Sequence, residues 1–325
     1  MQIGNIELGE KPLFLAPMED ITDPSFRFTC KNYGADMMYT EFISCDGLIR
    51  NGRKSVIKLD IFDNERPIGI QIYGHVIEPM IEAAKIAEAA NPDLIDINFG
   101  CPVKKISNRG AGSGMFKNIP LMIGMTSAIV KAVNLPVTVK TRLGWDENNK
   151  VIVDVAEQLQ DAGIQALTIH GRTRSQLYKG KADWSLIGEV KNNPRMTIPV
   201  IGNGDIDSPE IAKEYFTRYG VDGIMIGRAS IGRPWIFKEI KHFLKTGEKL
   251  PPPSINEIVG IVKSHFNISL QRKGERGGIY EMRRHFVQYF KGLADFKEIR
   301  IRLLTSLDVK EIDLILDEIK NTYGK

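Results

Sequence analysis

The sequence predicts an α/β protein, a (β/α)8 TIM barrel followed by a small all-α helical domain. Eight short apolar segments recur along the first 226 residues, and a longer helical pattern follows each of them. Three consecutive prolines at residues 251–253 then interrupt the chain, and only helical patterns come after them. The length of 325 residues fits a barrel of roughly 250 residues with a small appendage.

The predicted strands are short and mostly apolar, as expected when helices cover both faces of a parallel sheet. They span residues 13–15, 37–39, 68–72, 94–98, 137–140, 167–169, 200–202 and 223–226. Helical periodicity between them is clearest at residues 78–90, 119–133, 151–162 and 209–219. This alternation indicates a parallel sheet, and eight strands are the number that closes a barrel. An open doubly wound sheet is the alternative arrangement.

The predicted domain boundaries follow from the three prolines. Residues 1–246 form the barrel, residues 247–254 form an extended proline-rich linker, and residues 255–325 form the helical domain. Within that domain we predict helices at residues 255–273, 280–292, 297–306 and 309–323. Three glycines separate the first of these helices from the second: Gly274, Gly277 and Gly278.

The basic charge of the protein is concentrated near the C-terminus. Residues 241–325 hold 16 Lys and Arg against 11 Asp and Glu, whereas residues 1–240 hold 28 against 29. The excess is greatest over residues 263–302, with ten basic and four acidic side chains. A polyanion is therefore a candidate partner of the helical domain. A basic helical face that contacts only water is the alternative interpretation.

The composition is typical of a globular protein, which we expect to be cytoplasmic. Hydrophobic residues make up 42% of the chain and charged residues 26%. No segment approaches the roughly 20 apolar residues that span a bilayer. The first twelve residues lack the basic start and apolar core of a secretory signal. The three cysteines form no CxxC pair, so we expect reduced thiols, no disulfide and no metal site.

Residues that are unusual for a strand end, most of them polar or glycine, follow all eight predicted strands. In a barrel, the loops after the strands open on one face, where catalytic side chains lie. One histidine or glutamine at a strand end is usually a satisfied hydrogen-bonding group, but eight such positions on one face indicate an active site. The residues at these positions are Ala16, Pro17, Met18, Glu41, Gln71, Asn98, Cys101, Lys140, Arg142, His170, Asn203, Gly204, Asp205, Gly227 and Arg228.

The last two strands end in a pattern typical of phosphate binding. The seventh strand runs into Asn203, Gly204 and Asp205, and the eighth runs into Gly227 and Arg228. Barrels commonly bind phosphate after these two strands. Glycine lets backbone amides approach phosphate oxygens, and an arginine adds a charge-assisted hydrogen bond. The sequence therefore predicts a phosphate-bearing cofactor at this rim.

Cys101 follows the fourth strand, between Gly100 and Pro102. Most free cysteines are small buried apolar residues, and this is one interpretation of Cys101. If Cys101 is catalytic, an ordinary thiol pKa of about 8.5 keeps it mainly protonated at neutral pH. A protonated thiol suits proton donation better than nucleophilic attack.

Six motifs occur in order along the chain: LAPMEDITD from residue 15, DINFGCPVKK from residue 96, VTVKTRLGW from residue 137, LTIHGRTR from residue 167, VIGNGDI from residue 200 and MIGRASIGRPWIF from residue 225. Together they resemble the tRNA-dihydrouridine synthases, particularly the B-type bacterial branch. The segment YEMRRH from residue 280 resembles part of that family's helical RNA-binding domain. The resemblance spans nearly the whole chain, and six ordered motifs are far more specific than any one of them.

This resemblance implies an enzyme that uses FMN to reduce the C5=C6 bond of selected uridines in tRNA, with NADPH as the reductant of the flavin. It implies that Lys140 stabilises negative charge on the reduced flavin, that Gln71 hydrogen-bonds the polar edge of the ring, and that Arg228 binds the phosphate. By their positions in the motifs, it assigns flavin contacts to Ala16, Pro17, Met18, Gln71, Lys140, His170, Asn203, Gly204, Asp205, Gly227 and Arg228.

The same resemblance implies how the uridine is protonated and held. The flavin passes hydride to C6, Cys101 protonates C5 as a general acid, and Asn98 orients the base. Because an RNA duplex hides its base edges, the uridine must lie in a loop or leave its stack. We expect a monomer whose contacts to tRNA come from basic residues near the barrel rim and on one helix: Arg142, Arg172, Arg174, Arg283 and Arg284.

Few residues depart from the family pattern, and the residues alone leave other functions open. Phe99 departs without consequence for the chemistry, whereas Glu19 and Asp20 bear on substrate choice. An FMN barrel acting on a free pyrimidine explains the barrel but not the basic C-terminus. An aldolase with a Schiff base on Lys140 predicts trapping of substrate by borohydride. A non-enzymatic RNA-binding protein leaves the residues at the strand ends unexplained.

Overall fold

Eight parallel strands form a barrel in the computed structural model of the protein, which describes residues 1–324. The strands in chain order are β1 (Gln2–Ile3), β2 (Ile6–Glu7), β3 (Leu13–Leu15), β4 (Met38–Tyr39), β5 (Ile43–Ser44), β6 (Ile68–Tyr73), β7 (Leu94–Asn98), β8 (Val137–Arg142), β9 (Ala166–His170), β10 (Val200–Asn203) and β11 (Gly223–Ile226). The barrel consists of β3, β4 and β6 to β11, and all eight predicted strands are confirmed.

The barrel is nearly closed. Strand β11 pairs in parallel with β3, and each of β6 to β10 pairs with the next strand in the chain. The remaining seam joins β3 to β4, where the Leu15 amide donates to the Met37 carbonyl oxygen at 2.9 Å. Closure removes the open sheet edge, and the alternative of an open doubly wound sheet is wrong.

Helices alternate with the barrel strands, and the four helices predicted from periodicity are confirmed to within two residues at each end. The helices of this part are α1 (Pro24–Asn32), α2 (Cys45–Ile49), α3 (Arg53–Val56), α4 (Ile77–Ala89), α5 (Lys104–Ser107), α6 (Ile119–Ala132), α7 (Ile152–Asp161), α8 (Ser185–Asn192), α9 (Pro209–Tyr219) and α10 (Ile236–Thr246). Local sequence explains their ends. At α9, the Ser208 hydroxyl accepts from the Ile211 amide, and Gly220 ends the helix at φ 68°.

The C-terminal region contains α11 (Ile255–Tyr289), α12 (Lys297–Thr305) and α13 (Val309–Tyr323). Ser254 and Glu257 form a capping box at the start of α11. The two helices predicted at 255–273 and 280–292 are confirmed as the two halves of α11, which are separated at Gly274, where the backbone is not helical (φ 70°, ψ 172°). The halves pack against each other, with the ring centroids of Phe266 and Phe286 5.6 Å apart, and the second half ends at Tyr289. These helices share a buried apolar core that also includes Trp235, which precedes the prolines.

A buried polar network joins α11 to the start of α1. The Asp23 carboxylate caps α1 through the Ser25 and Phe26 amides, and its other oxygen lies 3.2 Å from His285 Nε2. His265 Nε2 lies 3.2 Å from Ser25 Oγ. Asp23 and both histidines are buried, so this network fixes the C-terminal helices against the barrel.

Residues 1–324 contain no helix that is both long enough and apolar enough to cross a membrane.

Candidate active site

A cavity of about 620 Å³ opens at the carboxyl ends of the barrel strands. Cys101, Asn98 and Arg142 line this cavity. Parallel strand register brings the residues after each strand to one rim. Most of the residues predicted to bind the cofactor also line the cavity: Ala16, Pro17, Met18, Lys140, His170, Asn203, Gly204, Asp205, Gly227 and Arg228.

A series of buried hydrogen bonds orients Asn98 at the edge of the cavity. Asn98 Nδ2 donates to Gln71 Oε1 at 2.8 Å, and Gln71 Nε2 donates to Asp96 Oδ2 at 2.5 Å. Thr138 Oγ1 donates to the second Asp96 oxygen. Burial raises the pKa of Asp96 to about 6, although these hydrogen bonds lower it. Gln71 is fully buried and is not part of the cavity lining.

Asn98 also positions the loop that carries Cys101. Asn98 Oδ1 accepts from the Gly100 amide at 2.9 Å and from the Cys101 amide at 2.8 Å. Ser113 Oγ donates to the Cys101 carbonyl oxygen at 2.8 Å. Burial raises the pKa of the Cys101 thiol, so the group is protonated at neutral pH. A thiol in this state can donate a proton but is a poor nucleophile.

Positive charge lies close to the thiol, on Lys140 and Arg142. Burial and the Arg142 guanidinium lower the pKa of Lys140 to about 8, so at pH 7 most Lys140 side chains keep their charge. Burial, followed by Arg142 and Lys140, lowers the pKa of His170 well below its ordinary value. His170 is therefore neutral. The cavity thus combines a neutral acid, a neutral imidazole and, beside the thiol, the cations Lys140 and Arg142.

The rim after β10 and β11 is built for close approach to the backbone. Gly204 has a φ of 123°, and a Cβ there would lie 2.7 Å from Ala182 Cβ and 3.0 Å from His170 Cδ2. Only glycine fits this position without displacement of its neighbours. Arg228 is exposed and donates through Nη2 to Asp205 Oδ1 at 2.9 Å. A guanidinium has five donors, so Arg228 can also bind an anion at this rim.

The three rim arginines predicted to contact RNA have different surroundings. Arg142 is buried at the cavity and donates to three backbone carbonyl oxygens. Arg172 is 1% exposed and donates through Nη2 to both Asp205 oxygens, at 2.7 and 2.9 Å. Arg174 lies over the Trp145 ring, 4.4 Å from its centroid. Neither Arg172 nor Arg174 lines the cavity. In this structure Arg172 orients Asp205 instead of presenting its charge to solvent.

Arg283 and Arg284 have different partners on α11. Arg284 Nη1 donates to the Asp20 carbonyl oxygen at 2.5 Å and lies 3.0 Å from the Asp20 carboxylate. Arg283 Nη2 lies 3.4 Å from the carbonyl oxygens of Thr305 and Ser306, at the end of α12. Arg284 therefore faces the barrel, whereas Arg283 faces the end of α12.

The cavity lining also contains residues that sequence reasoning missed. Tyr178 is 56% exposed, and its ring centroid lies 5.6 Å from Arg142 Cζ and 5.3 Å from Arg228 Cζ. It lies eight residues after the end of β9, in an irregular loop, so the positions of the strand ends do not predict that Tyr178 lines the cavity. Asp96 was missed too, although a carboxylate inside an apolar strand is itself a signal of a buried polar network.

Comparisons with known proteins support one family for this chain. A family model described as "Dihydrouridine synthase (Dus)" matches residues 14–320. The chain is 43% identical to tRNA-dihydrouridine synthase B of Pseudomonas putida over 302 residues, which are 93% of this chain and 89% of that protein. It is 41% identical to a probable tRNA-dihydrouridine synthase of Rickettsia conorii over 301 residues, which are 92% of this chain and 90% of that protein.

Solved structures show the same fold at low sequence identity. A 2-naphthoyl-CoA reductase complex has a TM-score of 0.60 at 11% identity, covering 74% of this chain and 51% of that chain. A morphinone reductase mutant in complex with tetrahydroNAD has a TM-score of 0.54 at 12% identity, covering 78% of this chain and 92% of that chain. With the match over residues 14–320, the barrel and its cavity identify this chain as a member of the dihydrouridine synthase family.

Proposed function

We propose that the protein is a tRNA-dihydrouridine synthase that uses FMN and NADPH to reduce the C5=C6 bond of selected uridines in tRNA. One observation carries the proposal: the protonated thiol of Cys101 faces the same cavity as Lys140 and the anion-binding rim at Arg228. The names of the Pseudomonas and Rickettsia relatives support the same activity. We further propose that the protein acts as a monomer in the cytoplasm.

The residues around the cavity fit FMN. A volume of about 620 Å³ falls within the range of about 300–1,000 Å³ that is usual for small-molecule sites. Gly204 permits close approach of the backbone, and Arg228 supplies donors for a phosphate. The Lys140 ammonium and the neutral His170 ring supply the polar contacts that the ring system of a flavin requires.

The chemistry divides between the cofactor and the chain. FMN, when bound and reduced by NADPH, supplies a hydride to C6 of the uracil ring. Cys101 completes the reduction, because its S–H bond breaks and the proton is transferred to C5. The positive charges of Arg142 and Lys140 stabilise the thiolate that is left, and a proton from solvent restores the thiol.

Asn98 positions the Cys101 thiol relative to the uracil ring. Its side-chain oxygen is occupied by two amides of the Cys101 loop, and its nitrogen is held by Gln71. The position of the thiol is thus fixed to the barrel strands through β6 and β7. We propose that Asn98 also contacts the uracil through its remaining N–H. Gln71 is fully buried outside the cavity lining, so the predicted contact of Gln71 with the flavin edge requires its side chain to become exposed when the flavin binds.

The basic C-terminal helices would hold the rest of the RNA. The target uridine must leave its stack to reach a cavity inside a barrel rim, which costs a few kcal/mol. Phosphate contacts along the RNA offset this cost, and they carry no sequence information by themselves. We propose residues 255–325 as the helical tRNA-binding domain, behind a linker at 247–254, with Arg283 and Arg284 among its phosphate contacts and Arg174 at the barrel rim.

Nucleoside mass spectrometry tests the proposed function. Purified protein is incubated with FMN, NADPH and an unmodified tRNA transcript, and digestion fragments locate any dihydrouridine. We expect dihydrouridine at defined positions and none without NADPH. A bound, reducible flavin that reduces a free pyrimidine but leaves tRNA unchanged would support the free-pyrimidine alternative instead.

A further inference from the structure

An exposed tyrosine lies between two arginines on the second half of α11. Tyr280 is 42% exposed, and its ring centroid lies 4.7 Å from Arg283 Cζ and 5.8 Å from Arg276 Cζ. The three residues follow the spacing i, i+4 and i+7, which places them on one helical face. We call these three residues the Tyr280 face.

The positive charge of the Tyr280 face has no acidic partner in the described part of the chain. Within residues 1–324, no carboxylate lies within 4.0 Å of Arg276 or Arg283, whereas Lys273 pairs with Glu281 and Arg284 pairs with Asp20. Two cations beside one exposed ring therefore form a site that can both attract an anion and stack a flat group.

The helix places the Tyr280 face near the mouth of the cavity. Arg284, one turn beyond Tyr280, is bonded to Asp20 in the loop after β3. Glu19, the neighbour of Asp20, lines the cavity. Gly277 lies one turn before Tyr280 and carries no side chain that could cover the ring. RNA that delivers a uridine to the cavity can thus extend along this face.

We propose that Tyr280 stacks on an unpaired base of the tRNA near the target uridine, while Arg276 and Arg283 bind the adjacent phosphates. Aromatic side chains stack on any base, because every base has a flat π face, and arginines beside them neutralise the backbone. This inference rests on the proposed tRNA substrate, and it adds a base contact outside the cavity. The face selects single-stranded RNA, because bases in a duplex are stacked on one another.

The test is the affinity of the FMN-loaded protein for an unmodified tRNA transcript, measured by fluorescence anisotropy across a series of salt concentrations. Tyr280→Ala should weaken binding by about fivefold or more, with the slope of log affinity against log salt unchanged, because stacking releases no counterions. Tyr280→Phe should bind as the wild type does. Arg276→Gln should weaken binding and also flatten the slope. Leu314→Ala, which removes a 69% exposed apolar side chain on α13, is the matched control.

The outcomes separate this inference from the proposed function. If Tyr280→Ala binds as tightly as the wild type, or if its loss of affinity comes with a flatter salt slope, base stacking is overturned even though the wild type forms dihydrouridine. If the wild type forms no dihydrouridine and does not bind tRNA, the proposed function fails first.

Discussion

Burial acts in opposite directions on the two ionisable side chains at the centre of the site. It raises the pKa of the Cys101 thiol and lowers the pKa of the Lys140 ammonium to about 8. Desolvation disfavours the charged form of either group. The thiol therefore keeps its proton at neutral pH, whereas the pKa of the amine comes close to neutral pH. The sequence left the protonation state of Cys101 open, since an isolated residue carries no information on its desolvation.

Replacing Cys101 separates cofactor binding from proton transfer. Cys101→Ala should purify with flavin, because the contacts at Gly204, Lys140 and Arg228 remain, but it should lose nearly all turnover, on the order of 10²-fold or more. Absorbance at flavin wavelengths and dihydrouridine content measure the two properties. Cys45→Ala, which removes a thiol outside the cavity, is the control and should retain activity. Full activity in Cys101→Ala would exclude its role as the acid.

The loop after β10 is a segment whose backbone only glycine allows. Gly204→Ala combines a φ of 123° with a Cβ 2.7 Å from Ala182 Cβ, so we expect a loss of about 1–3 kcal/mol in stability and a lower flavin content. Gly124→Ala, in the exposed middle of α6 with no atom within 4 Å of the new Cβ, should instead stabilise the protein by about 0.5–1 kcal/mol. Thermal melting measures both changes. Equal effects of the two substitutions would contradict the steric argument.

The junction between α1 and α11 should respond to acid through His265. Burial, followed by the charge of His285, lowers the pKa of His265 from 6.5 to about 3, although Asp23 raises it. Below pH 6.5 the unfolded chain binds a proton that the folded protein excludes until about pH 3. The contribution of His265 to the free energy of unfolding therefore falls as the pH drops through this window, by up to about 1.4 kcal/mol per pH unit.

Urea unfolding between pH 7 and pH 4 tests this dependence on His265. The pKa of Asp23 lies below its ordinary 3.8, so its own stabilising effect is lost only below that pH and leaves this range unaffected. His265→Gln cannot take up the proton, and it should show a shallower decline with falling pH, whatever its stability at pH 7. His242→Gln, on α10 and outside this network, should decline as the wild type does. An unchanged pH dependence in His265→Gln would assign the decline to other groups.

The sequence predicts those parts of the whole molecule that repeat one pattern, the apolar strand with a polar end. It does not predict those parts that depend on contacts between distant residues. The eight barrel strands follow from apolar runs with polar ends, but β5 and the β1–β2 hairpin have only two residues per strand, too few to show alternation. The break predicted at the three glycines occurs at Gly274 (φ 70°), whereas Gly278 lies within the second half of α11. A Cβ at Gly278 would lie 2.8 Å from the Leu270 amide nitrogen, so this glycine allows the two halves of α11 to pack closely against each other.

The site shows the same division between repeated signals and contacts. The positions of the strand ends predicted most of the cavity lining, since the last residues of parallel strands lie at one rim. They did not predict Tyr178, which lies in an irregular loop, or the pairing of Arg172 with Asp205. Arginines that look alike in the sequence thus have different roles, and the buried partner of each arginine shows which role it has.

Charge across the whole molecule should govern the affinity for tRNA. Replacing both Arg283 and Arg284 by glutamine should weaken binding and reduce the salt slope by about 0.7–0.9 for each phosphate that the protein no longer neutralises, because fewer counterions are released. The matched control is Arg195→Gln with Arg218→Gln, which removes the same charge from exposed sites that precede β10 and β11 on the face opposite the cavity. Fluorescence anisotropy at several salt concentrations compares the two pairs.

Because Arg284 is also bonded to Asp20, replacing Arg283 and Arg284 should in addition lower the melting temperature slightly. If both pairs change the slope equally, tRNA is attracted by net charge alone; a slope that changes only with Arg283 and Arg284 places the RNA across α11 and the cavity mouth.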